Sequence, residues 1–363
     1  MKKNTYILIP HFYRLNWAKE MSNFLSISNG FEFLGSNLEF GTYSKAAKLR
    51  DKYLDYLLEN KSTLKGRTIF FVNLNDYIFY KNRKKLKDAF TIFGFMRGSR
   101  FFDGEPGNAS FKKDDLLDLQ RQEAEALASI DKLFIASKAF SRFLVEKIPA
   151  LALKDIKVTG LPIFIQPCYL GKTPVQIRNM RRSKANNLIL WNHRLQKQKN
   201  PWVLFELEPY IKEHIAICTP EALSAAYSKE MKEHEAIFHT IIRDNGKKRK
   251  NYLNVLEQAE FVLSTGQHET WGNSMIEGIM NGSAPFAPDG NLCSYKELFT
   301  DYFLYPQELL EKIKNPVLRD NNMIKLTSLI TDFIQQDHLE EIINLQNSLW
   351  CNYNKETWLN RLR

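Results

Sequence analysis

Short apolar runs alternate with longer amphipathic stretches along most of the chain, and this alternation constrains the fold more than any other feature. The run Thr68–Val72 is almost wholly apolar and rich in β-forming residues, as in a strand buried on both faces of a parallel sheet. Similar strands are expected at Tyr6–Ile9, Lys132–Ala136, Asn187–Trp191, His214–Cys218, Glu260–Leu263 and Pro285–Ala287. Between them, apolar residues recur at helical spacing, for example in Ala46–Leu58. Such alternation predicts βαβ units and therefore an α/β fold with doubly wound parallel sheets.

The alternation falls into two blocks, which predict two domains. Residues 166–185 contain prolines, a glycine and a basic run, and we expect a linker there. We predict a Rossmann-like N-terminal domain over residues 1–165, a second Rossmann-like domain over residues 186–340, and a C-terminal helix over residues 341–363 that could return to the N-terminal domain. A length of 363 residues suits two such domains. Open α/β sheets bind ligands beyond the carboxyl ends of their strands, so we expect the two sheets to border a central cleft.

The charge balance narrows the range of partners. Lys and Arg number 51 against 41 Asp and Glu, which gives a formal net charge of +10. Such an excess favours a polyanionic partner, namely nucleic acid, an anionic membrane surface or a phosphorylated ligand. The alternative is a soluble protein that is basic without such a partner.

The spacing of the cysteines and the hydropathy of the chain indicate its cellular compartment. The 4 cysteines are far apart and form no CxxC pair, which argues against a zinc ribbon or a disulfide scaffold and fits a reducing cytosol. The apolar run near the N-terminus is too short for a secretory signal, and no stretch approaches the ~18 residues of a membrane span. We therefore expect a cytoplasmic chain that has no membrane span and is soluble or at most peripheral.

The segment Ser264–Glu277 is the most informative part of the sequence. It follows a predicted strand and precedes an apolar helix, so its backbone amides around Gly272 are expected at a helix N-terminus. Unpaired amides and the helix dipole favour an anion there, such as a diphosphate. Glu277, about one turn into the helix, could accept two ribose hydroxyls, and Glu269 could contact the other end of the same ligand. Alternatively, Glu269 is a solvated loop residue and Glu277 an ordinary acid of the first helical turn.

A second constellation follows the predicted strand Asn187–Trp191. The strand end leads into a loop with Arg194, and Lys199 stands five positions later. Two cations near the carboxyl end of a strand suit a pyrophosphate leaving group, because Arg can hold phosphate oxygens with two hydrogen bonds and Lys acts as a point charge. Fixed cations would also stabilise the negative charge that develops as a nucleoside diphosphate departs. The alternative is a solvated basic loop.

Together, these residues resemble a known enzyme family. A Glu-x7-Glu loop with Gly three residues after the first Glu, preceded by a strand-end Arg-x4-Lys, is similar to that of the retaining GT-B glycosyltransferases of the large glycogen-synthase-like group. The phrases Leu190–Arg194, Lys199–Pro201 and Ser264–Glu277 further resemble the tRNA-queuosine mannosyltransferases. The close resemblance covers these short blocks of the carboxyl half. The amino half resembles GT-B enzymes only in its general sequence pattern, at Ile135–Ser137 and Val158–Ile163.

The resemblance implies a GT-B fold and an activity. The activity is retaining transfer of a sugar from a nucleotide sugar such as UDP-glucose or GDP-mannose, with no metal or other cofactor. It implies that Arg194 and Lys199 hold the donor diphosphate and that Glu269 contacts the transferred sugar or its near phosphate. The donor-binding residues that it implies are His193, His268, Gly272, Asn273, Ser274 and Glu277, the last of which takes the ribose. In this group the leaving phosphate is usually held to take the acceptor proton, so no protein base need be found.

The amino half holds the candidate acceptor site. Lys81–Lys87 contains five cations, and in Phe93–Gly107 basic and aromatic residues are interleaved with glycines. Such residues can hold phosphates and stack bases, although a solvated helix face and a structural loop with buried Phe residues fit the same pattern. The candidate acceptor-binding residues are His11, Asp76, Arg97, Arg100, Asp103 and Glu105.

The basic residues that donor chemistry leaves unexplained indicate the acceptor. Further basic runs lie at Arg178–Lys184 and Lys247–Lys250. If the clusters share one face, they form a track for a polyanion, and we expect the acceptor to be a hydroxyl on a modified nucleobase. That base would belong to tRNA queuosine or to hypermodified DNA such as hydroxymethylpyrimidine, and an enzyme acting on duplex DNA would have to flip it out. The alternatives are a cell-surface glycan or lipid acceptor, with the clusters on an anionic membrane, and a noncatalytic nucleic-acid-binding protein on a GT-B scaffold.

Overall fold

Two compact units make up the chain. The computed structural model describes residues 5–13, 16–35, 37–102, 108, 111–193, 197–211, 215–219, 240–243, 249–311 and 315–362. The first unit is Met1–Pro162 with Leu359–Arg363, and the second is Ile163–Trp358. Residues 166–185, where we expected a linker, belong to the second unit and include the helix Pro174–Arg182.

A six-stranded parallel sheet forms the centre of the first unit. Its strands are β1 (Tyr6–Ile9), β2 (Phe31–Glu32), β3 (Thr68–Phe71), β4 (Thr91–Met96), β5 (Lys132–Ile135) and β6 (Asp155–Val158). They are ordered β2-β1-β3-β4-β5-β6. From β1 the chain crosses to β2 on one side and returns to β3 on the other, so the strand order reverses between β1 and β3. Such a switch point leaves a crevice at the carboxyl ends of the two strands.

Helices connect the strands of the first unit, and one of them contains the predicted helical stretch Ala46–Leu58. The helices are Asn16–Ser26, Tyr43–Glu59, Asn75–Ile78, Arg83–Ala89, Lys113–Ser129 and Lys138–Lys147, with a 3₁₀ turn at Pro149–Leu153. The helix Lys355–Leu362 belongs to both units, since the second ends at Trp358 and the first resumes at Leu359. Ser137 caps the helix Lys138–Lys147, since its Oγ accepts a hydrogen bond from the Phe140 amide at 3.2 Å. The buried Phe70 of the central strand packs against Phe134 with ring centroids 5.5 Å apart.

Strand β4 lies where the sequence pattern suggested a glycine-rich loop. Phe95 and Met96 are fully buried in the core of the sheet. A Cβ atom on Gly94 would lie 2.5 Å from Cδ2 of Leu74. Glycine therefore allows a close approach within a strand here instead of forming a turn. As a core residue, Phe95 is not a surface on which bases could stack.

The second unit also centres on a six-stranded parallel sheet. Its strands are β7 (Ala185–Trp191), β8 (Ile215–Thr219), β9 (Thr240–Arg243), β10 (Ala259–Leu263), β11 (Ala284–Pro288) and β12 (Leu304–Tyr305). The order β12-β11-β10-β7-β8-β9 is that of the dinucleotide-binding Rossmann fold. The order reverses between β7 and β10, which pair in parallel with Leu190 opposite Val262. The switch point of this sheet therefore lies at the ends of β7 and β10.

Helices also connect the strands of the second unit, and one of them begins at Asn273, just after the loop in which a helix start was expected. They are Pro174–Arg182, Pro201–Ile211, Arg249–Gln258, Asn273–Met280, Tyr295–Leu298, Pro316–Ile334 and Leu339–Tyr353, with 3₁₀ turns at Lys197–Lys199, Asp301–Phe303 and Gln307–Leu310. In the part of the chain that the structure describes, no helix has the length and apolar character to cross a membrane.

Lys184, which ends the basic run Arg178–Lys184, is a core residue. Its ammonium donates hydrogen bonds to the carbonyl oxygens of Glu257, Ala259 and Asn281 at 3.1, 2.8 and 2.9 Å. Burial disfavours the charged form and lowers the pKa of this lysine to about 8. Lys184 therefore contributes to the fold of the second unit, and not to a surface track for a polyanion as we expected.

Candidate active site

The switch point of the second sheet brings the two carboxyl-half motifs together. Thr265 follows β10 and joins the two loops by buried hydrogen bonds. Its Oγ1 accepts from Nε1 of Trp191, the last residue of β7, at 2.9 Å and donates to the carbonyl oxygen of Lys199 at 2.7 Å. Trp191 and Thr265 are fully buried. These bonds fix the backbone that carries the polar side chains described next.

Lys199 and Glu269 form a buried ion pair at this edge of the sheet. Lys199 Nζ donates to Glu269 Oε2, and the two side chains are 10% and 14% exposed. Burial alone would raise the pKa of the carboxyl. The charge of Lys199, the electrostatic interaction with His193, and hydrogen bonds from Lys199 and the Gly272 amide outweigh burial and lower the pKa of Glu269 to about 2. Glu269 is thus a buried carboxylate and not a solvated loop residue. The pair also fixes the position of the Lys199 charge.

The helix Asn273–Met280 begins beside this ion pair, and Gly272 sets its start. Gly272 has φ of 78°, in the left-handed region, and a Cβ there would lie 2.5 Å from Cε1 of Tyr295. Glycine is required because any side chain would be strained and would also clash. The Gly272 amide donates to the Glu269 carboxylate. The next amides have no partner within the helix, and with the dipole they favour an anion at this end.

A hydrogen-bonded chain of Asn192, Tyr252 and Glu277 crosses the same region. Asn192 Nδ2 donates to Tyr252 Oη at 3.1 Å and to the Ser274 carbonyl at 2.8 Å. Tyr252 Oη donates to Glu277 Oε2 at 2.5 Å. Among the residues that the structure describes, the buried Oδ1 of Asn192 has no hydrogen-bond partner. These hydrogen bonds hold the Glu277 carboxylate in place. They leave Asn192 Oδ1 as a buried acceptor near the start of the helix. No sequence motif indicated Tyr252.

The other predicted donor residues are placed as follows. His193 is 3% exposed, and its Nδ1 lies 3.1 Å from Oγ of Ser274. His268 precedes Glu269 in the same loop, and Asn273 is the first residue of the helix. Arg194 lies outside the described residues. Within the described ranges, no group of three or more His, Cys, Asp or Glu could hold a metal ion.

The switch point of the first sheet carries a polar cluster of its own. His11 follows β1 and Asp76 follows β3, and the imidazole Nδ1 lies 2.7 Å from the carboxylate Oδ2. Both side chains are largely buried. From the helix Tyr43–Glu59, Nη1 of Arg50 lies 3.8 Å from the other carboxylate oxygen. Two of the predicted acceptor residues are thus in direct contact, and Arg50 joins them although the sequence did not indicate it.

Arg97 completes this cluster. It follows β4, and its guanidinium carbon lies 3.8 Å from the ring centroid of Trp17. The Trp17 ring is nearly parallel to the His11 imidazole, with an interplanar angle of 18° and centroids 5.9 Å apart. Guanidinium, indole and imidazole groups therefore lie together at the carboxyl end of the first sheet.

Arg100, by contrast, is bound by its own loop. Its Nη1 donates to Oδ1 of Asn108 at 3.2 Å, and its guanidinium lies 5.4 Å from the ring of Phe79. These contacts indicate a role in holding the segment after β4. Asp103 and Glu105, the remaining acceptor candidates, lie outside the described residues.

The predicted basic clusters differ in exposure. In Lys81–Lys87, the exposed cations are Lys81, Lys84 and Lys85, whereas Arg83 pairs with Glu125 at 3.2 Å and Lys87 with Asp131 at 2.5 Å. In Arg178–Lys184, Arg178 and Arg182 are exposed, and Arg181 pairs with Asp337 and Glu260. The side chains of Lys247–Lys250 lie outside the described residues.

Comparison with curated proteins finds a partial match. No protein family model matches the chain. The tRNA-queuosine alpha-mannosyltransferase of Drosophila melanogaster is 27% identical over 163 residues, which are 42% of this chain and 41% of the relative. The match therefore spans about two fifths of either protein.

Comparison with solved structures covers nearly the whole chain. Sucrose-phosphate synthase from Thermosynechococcus elongatus superposes with a TM-score of 0.62 at 12% identity, over 92% of this chain and 81% of that one. A mutant of S. aureus TarM, bound to fondaparinux, alpha-GlcNAc-glycerol and UDP, gives 0.58 at 16% identity, over 87% of this chain and 58% of that one. The pneumococcal O-GlcNAc transferase GtfA, bound to UDP and GlcNAc, gives 0.57 at 13% identity, over 86% and 59%. Together with the two parallel sheets, these likenesses show that the chain has the GT-B fold expected from its sequence.

Proposed function

We propose that this chain is a retaining glycosyltransferase that moves a sugar from a nucleoside-diphosphate sugar to a hydroxyl on a modified nucleobase in nucleic acid. The buried Lys199–Glu269 pair, beside the N-terminus of the helix Asn273–Met280, carries the donor half of this proposal. Both features lie at the switch point of a sheet with Rossmann strand order, which is where such sheets bind nucleotides.

Each part of a nucleotide sugar has a complementary group at this edge. The first helix amides and the Lys199 ammonium would bind the diphosphate. Glu277, held by Tyr252, would accept the ribose hydroxyls, and the buried Oδ1 of Asn192 is a further acceptor nearby. Glu269 would contact the sugar or the phosphate next to it. Arg194 is proposed as a second diphosphate ligand from its sequence position.

The arrangement suits departure of a diphosphate. As the bond between the sugar and the diphosphate oxygen breaks, negative charge grows on the leaving group, and an ammonium already fixed in place stabilises it without reorganisation. An ammonium has three N–H donors, and the bond to Glu269 uses one of them. The acceptor hydroxyl would attack from the same side and pass its proton to the leaving phosphate, which retains the configuration of the sugar. This route requires no protein base and no metal.

The nucleic-acid acceptor is supported by the relative's name and by charge. The curated relative is named for a tRNA nucleoside, queuosine. The chain has a formal net charge of +10, and Lys81, Lys84 and Lys85 are exposed cations with no part in the donor site. A glycan hydroxyl is the second candidate acceptor, because the TarM and GtfA structures contain GlcNAc-based ligands.

Two assays test the proposal. The full chain is incubated with UDP-glucose, UDP-GlcNAc or GDP-mannose, and the released nucleoside diphosphate is measured. The active donor is then supplied with queuosine-containing tRNA or hydroxymethylated DNA, and digested nucleosides are analysed by mass spectrometry for an added hexose. We expect Lys199→Ala and Glu269→Gln to lower turnover about 100-fold or more, whereas Glu308→Gln, an exposed carboxylate change in the same unit, leaves it unchanged.

The outcomes separate the alternatives. Modified nucleosides support the full proposal. Transfer to a GlcNAc-based glycan, with no transfer to either nucleic acid, supports the transferase activity and contradicts the nucleic-acid acceptor. Nucleic-acid binding without release of any nucleoside diphosphate indicates a noncatalytic protein on a GT-B scaffold.

A further inference from the structure

The geometry points to a binding site in the first unit for a planar heteroaromatic ring that carries a hydroxyl group, formed by His11, Asp76, Trp17 and Arg97. The inference rests on the proposed function, because the ring would belong to the acceptor. It goes further because it names the chemical class of the acceptor and the four side chains that would bind it.

The position of the cluster follows from the topology of the first sheet. His11, Asp76 and Arg97 follow β1, β3 and β4, which are neighbours in the sheet. The strand order reverses between β1 and β3, so the crevice of an open α/β sheet lies at these ends. Trp17 enters from the helix that follows β1. The four side chains come from the segments that follow three neighbouring strands, and they meet at this one crevice.

Arg97 and Trp17 supply a stacking surface. The guanidinium carbon lies 3.8 Å from the indole centroid, a close cation–π contact. Planar guanidinium and aromatic groups are the surfaces on which proteins stack unpaired bases. Because the indole already holds the guanidinium, less conformational entropy is lost when a ring stacks there. An acyl chain has no flat π-face for such stacking, and a pyranose could pack on the indole only through its C–H groups.

His11 and Asp76 supply a partner for a hydroxyl. The carboxylate lies 2.7 Å from Nδ1, so in the tautomer that donates to it through Nδ1 the acceptor nitrogen is Nε2. The amide of His11 donates to Oγ of Ser22 at 3.2 Å, which fixes the backbone that carries the ring. Arg50, 3.8 Å from Asp76, adds a positive charge behind the carboxylate. The site therefore combines an oriented hydrogen-bond acceptor with a stacking surface.

The test uses nucleosides on the full chain without donor. Isothermal titration calorimetry is performed with queuosine, 5-hydroxymethyl-2′-deoxycytidine, 2′-deoxycytidine and methyl α-glucoside. We expect a hydroxyl-bearing nucleoside to bind and Arg97→Met or Trp17→Leu to weaken it about tenfold or more, the usual effect of losing a stacking partner. Arg142→Met, on a helix elsewhere in the unit, is the matched control and should leave affinity unchanged.

A second variant separates the hydroxyl contact from general damage to the site. His11→Phe keeps a ring but removes the acceptor nitrogen. It should weaken 5-hydroxymethyl-2′-deoxycytidine and leave 2′-deoxycytidine unchanged. Thermal melts followed by circular dichroism identify any variant that has lost its fold, and such a variant is replaced by Arg97→Lys or Trp17→Phe.

Three results overturn the inference: no nucleoside binds the wild type, methyl α-glucoside binds better than either hydroxylated nucleoside, or the ring variants bind as the wild type does. Failure of the proposed function appears separately. If the wild type hydrolyses no nucleotide sugar but the nucleoside affinities follow the expected pattern, the site stands and the transferase activity does not.

Discussion

The buried ammonium of Lys199 is tolerated in the second unit because the buried carboxylate of Glu269 lies against it. Replacing the carboxylate in Glu269→Gln would leave the charge of Lys199 desolvated and unpaired. We expect the free energy of unfolding at pH 7 to fall by about 3–5 kcal/mol, as is usual when one partner of a buried pair is removed. Urea denaturation measures the change. The exposed carboxylate variant Glu308→Gln should stay within about 0.5 kcal/mol of the wild type.

The same pair makes stability depend on pH in a defined direction. The pKa of Glu269 is lowered from 4.5 to about 2 in the folded chain. A carboxyl with a depressed pKa stabilises the fold above its unfolded value, and that stabilisation is lost as pH falls through the folded value. The stability gap between wild type and Glu269→Gln should therefore be constant above pH 4.5 and narrow toward pH 2. A gap that persists undiminished at pH 2 would contradict the assignment of this carboxylate.

The buried Lys184 should make the stability of the fold depend on pH in the alkaline range. Its pKa is lowered from 10.5 to about 8, mainly by burial. Between these values the unfolded chain holds a proton that the folded chain has released, so stability rises with pH. Wild type should gain about 3 kcal/mol from pH 8 to 10.5 relative to Lys184→Met, which lacks the titrating group. Parallel curves for the two proteins, measured by urea denaturation, would show that the ammonium is solvated.

At the scale of elements, the start of the helix Asn273–Met280 depends on Gly272. A methyl group there meets both a left-handed φ of 78° and the ring of Tyr295. Gly171→Ala is the matched control, since it has φ of 70° and nothing within 4 Å of the added Cβ. Both variants should lose about 1–3 kcal/mol to backbone strain, and Gly272→Ala should lose more because of the clash. Equal losses in thermal unfolding would mean that the Tyr295 ring moves aside without cost.

The elements that carry the donor site could be predicted, because their local signals are strong. The strand β10 is an apolar run, and the helix after Gly272 has a clear start and an apolar face. Strand β2, with two residues, is too short to show periodicity. Strand β4 was missed because Gly94 and its aromatic neighbours resemble a loop, and only the close approach of Leu74 explains the glycine.

Contacts between distant elements were harder to predict than the elements themselves. Lys199 and Glu269 are 70 positions apart in the sequence. Only the resemblance to a family motif indicated that both belong to one site. Tyr252 had no signal at all, since its bond to Glu277 arises from the packing of one helix on another. The His11–Asp76 contact follows from the strand order of the first sheet, which local periodicity does not encode.

For the whole molecule, the structure separates the cations that the fold uses from those left at the surface. Of the net charge of +10 that suggested a polyanionic partner, Lys184 belongs to the core and Lys199 to an ion pair. Lys81, Lys84 and Lys85 remain exposed on and beside the helix Arg83–Ala89. These three lysines are therefore the described residues of the Lys81–Lys87 cluster best placed to bind phosphates.

Replacing Lys81, Lys84 and Lys85 together by Gln tests whether they contact nucleic acid. Each phosphate that a cation neutralises releases counterions, so the slope of log affinity against log salt should become shallower by about 2 to 3. Fluorescence anisotropy with labelled tRNA and duplex DNA, over a series of salt concentrations, measures that slope. The matched control replaces Lys52, Lys61 and Lys65, which are also exposed and lower the net charge equally. If both triple variants shift the slope alike, the affinity depends on overall charge and the cluster is not a binding surface. If neither shifts it, the phosphate contacts lie elsewhere on the chain.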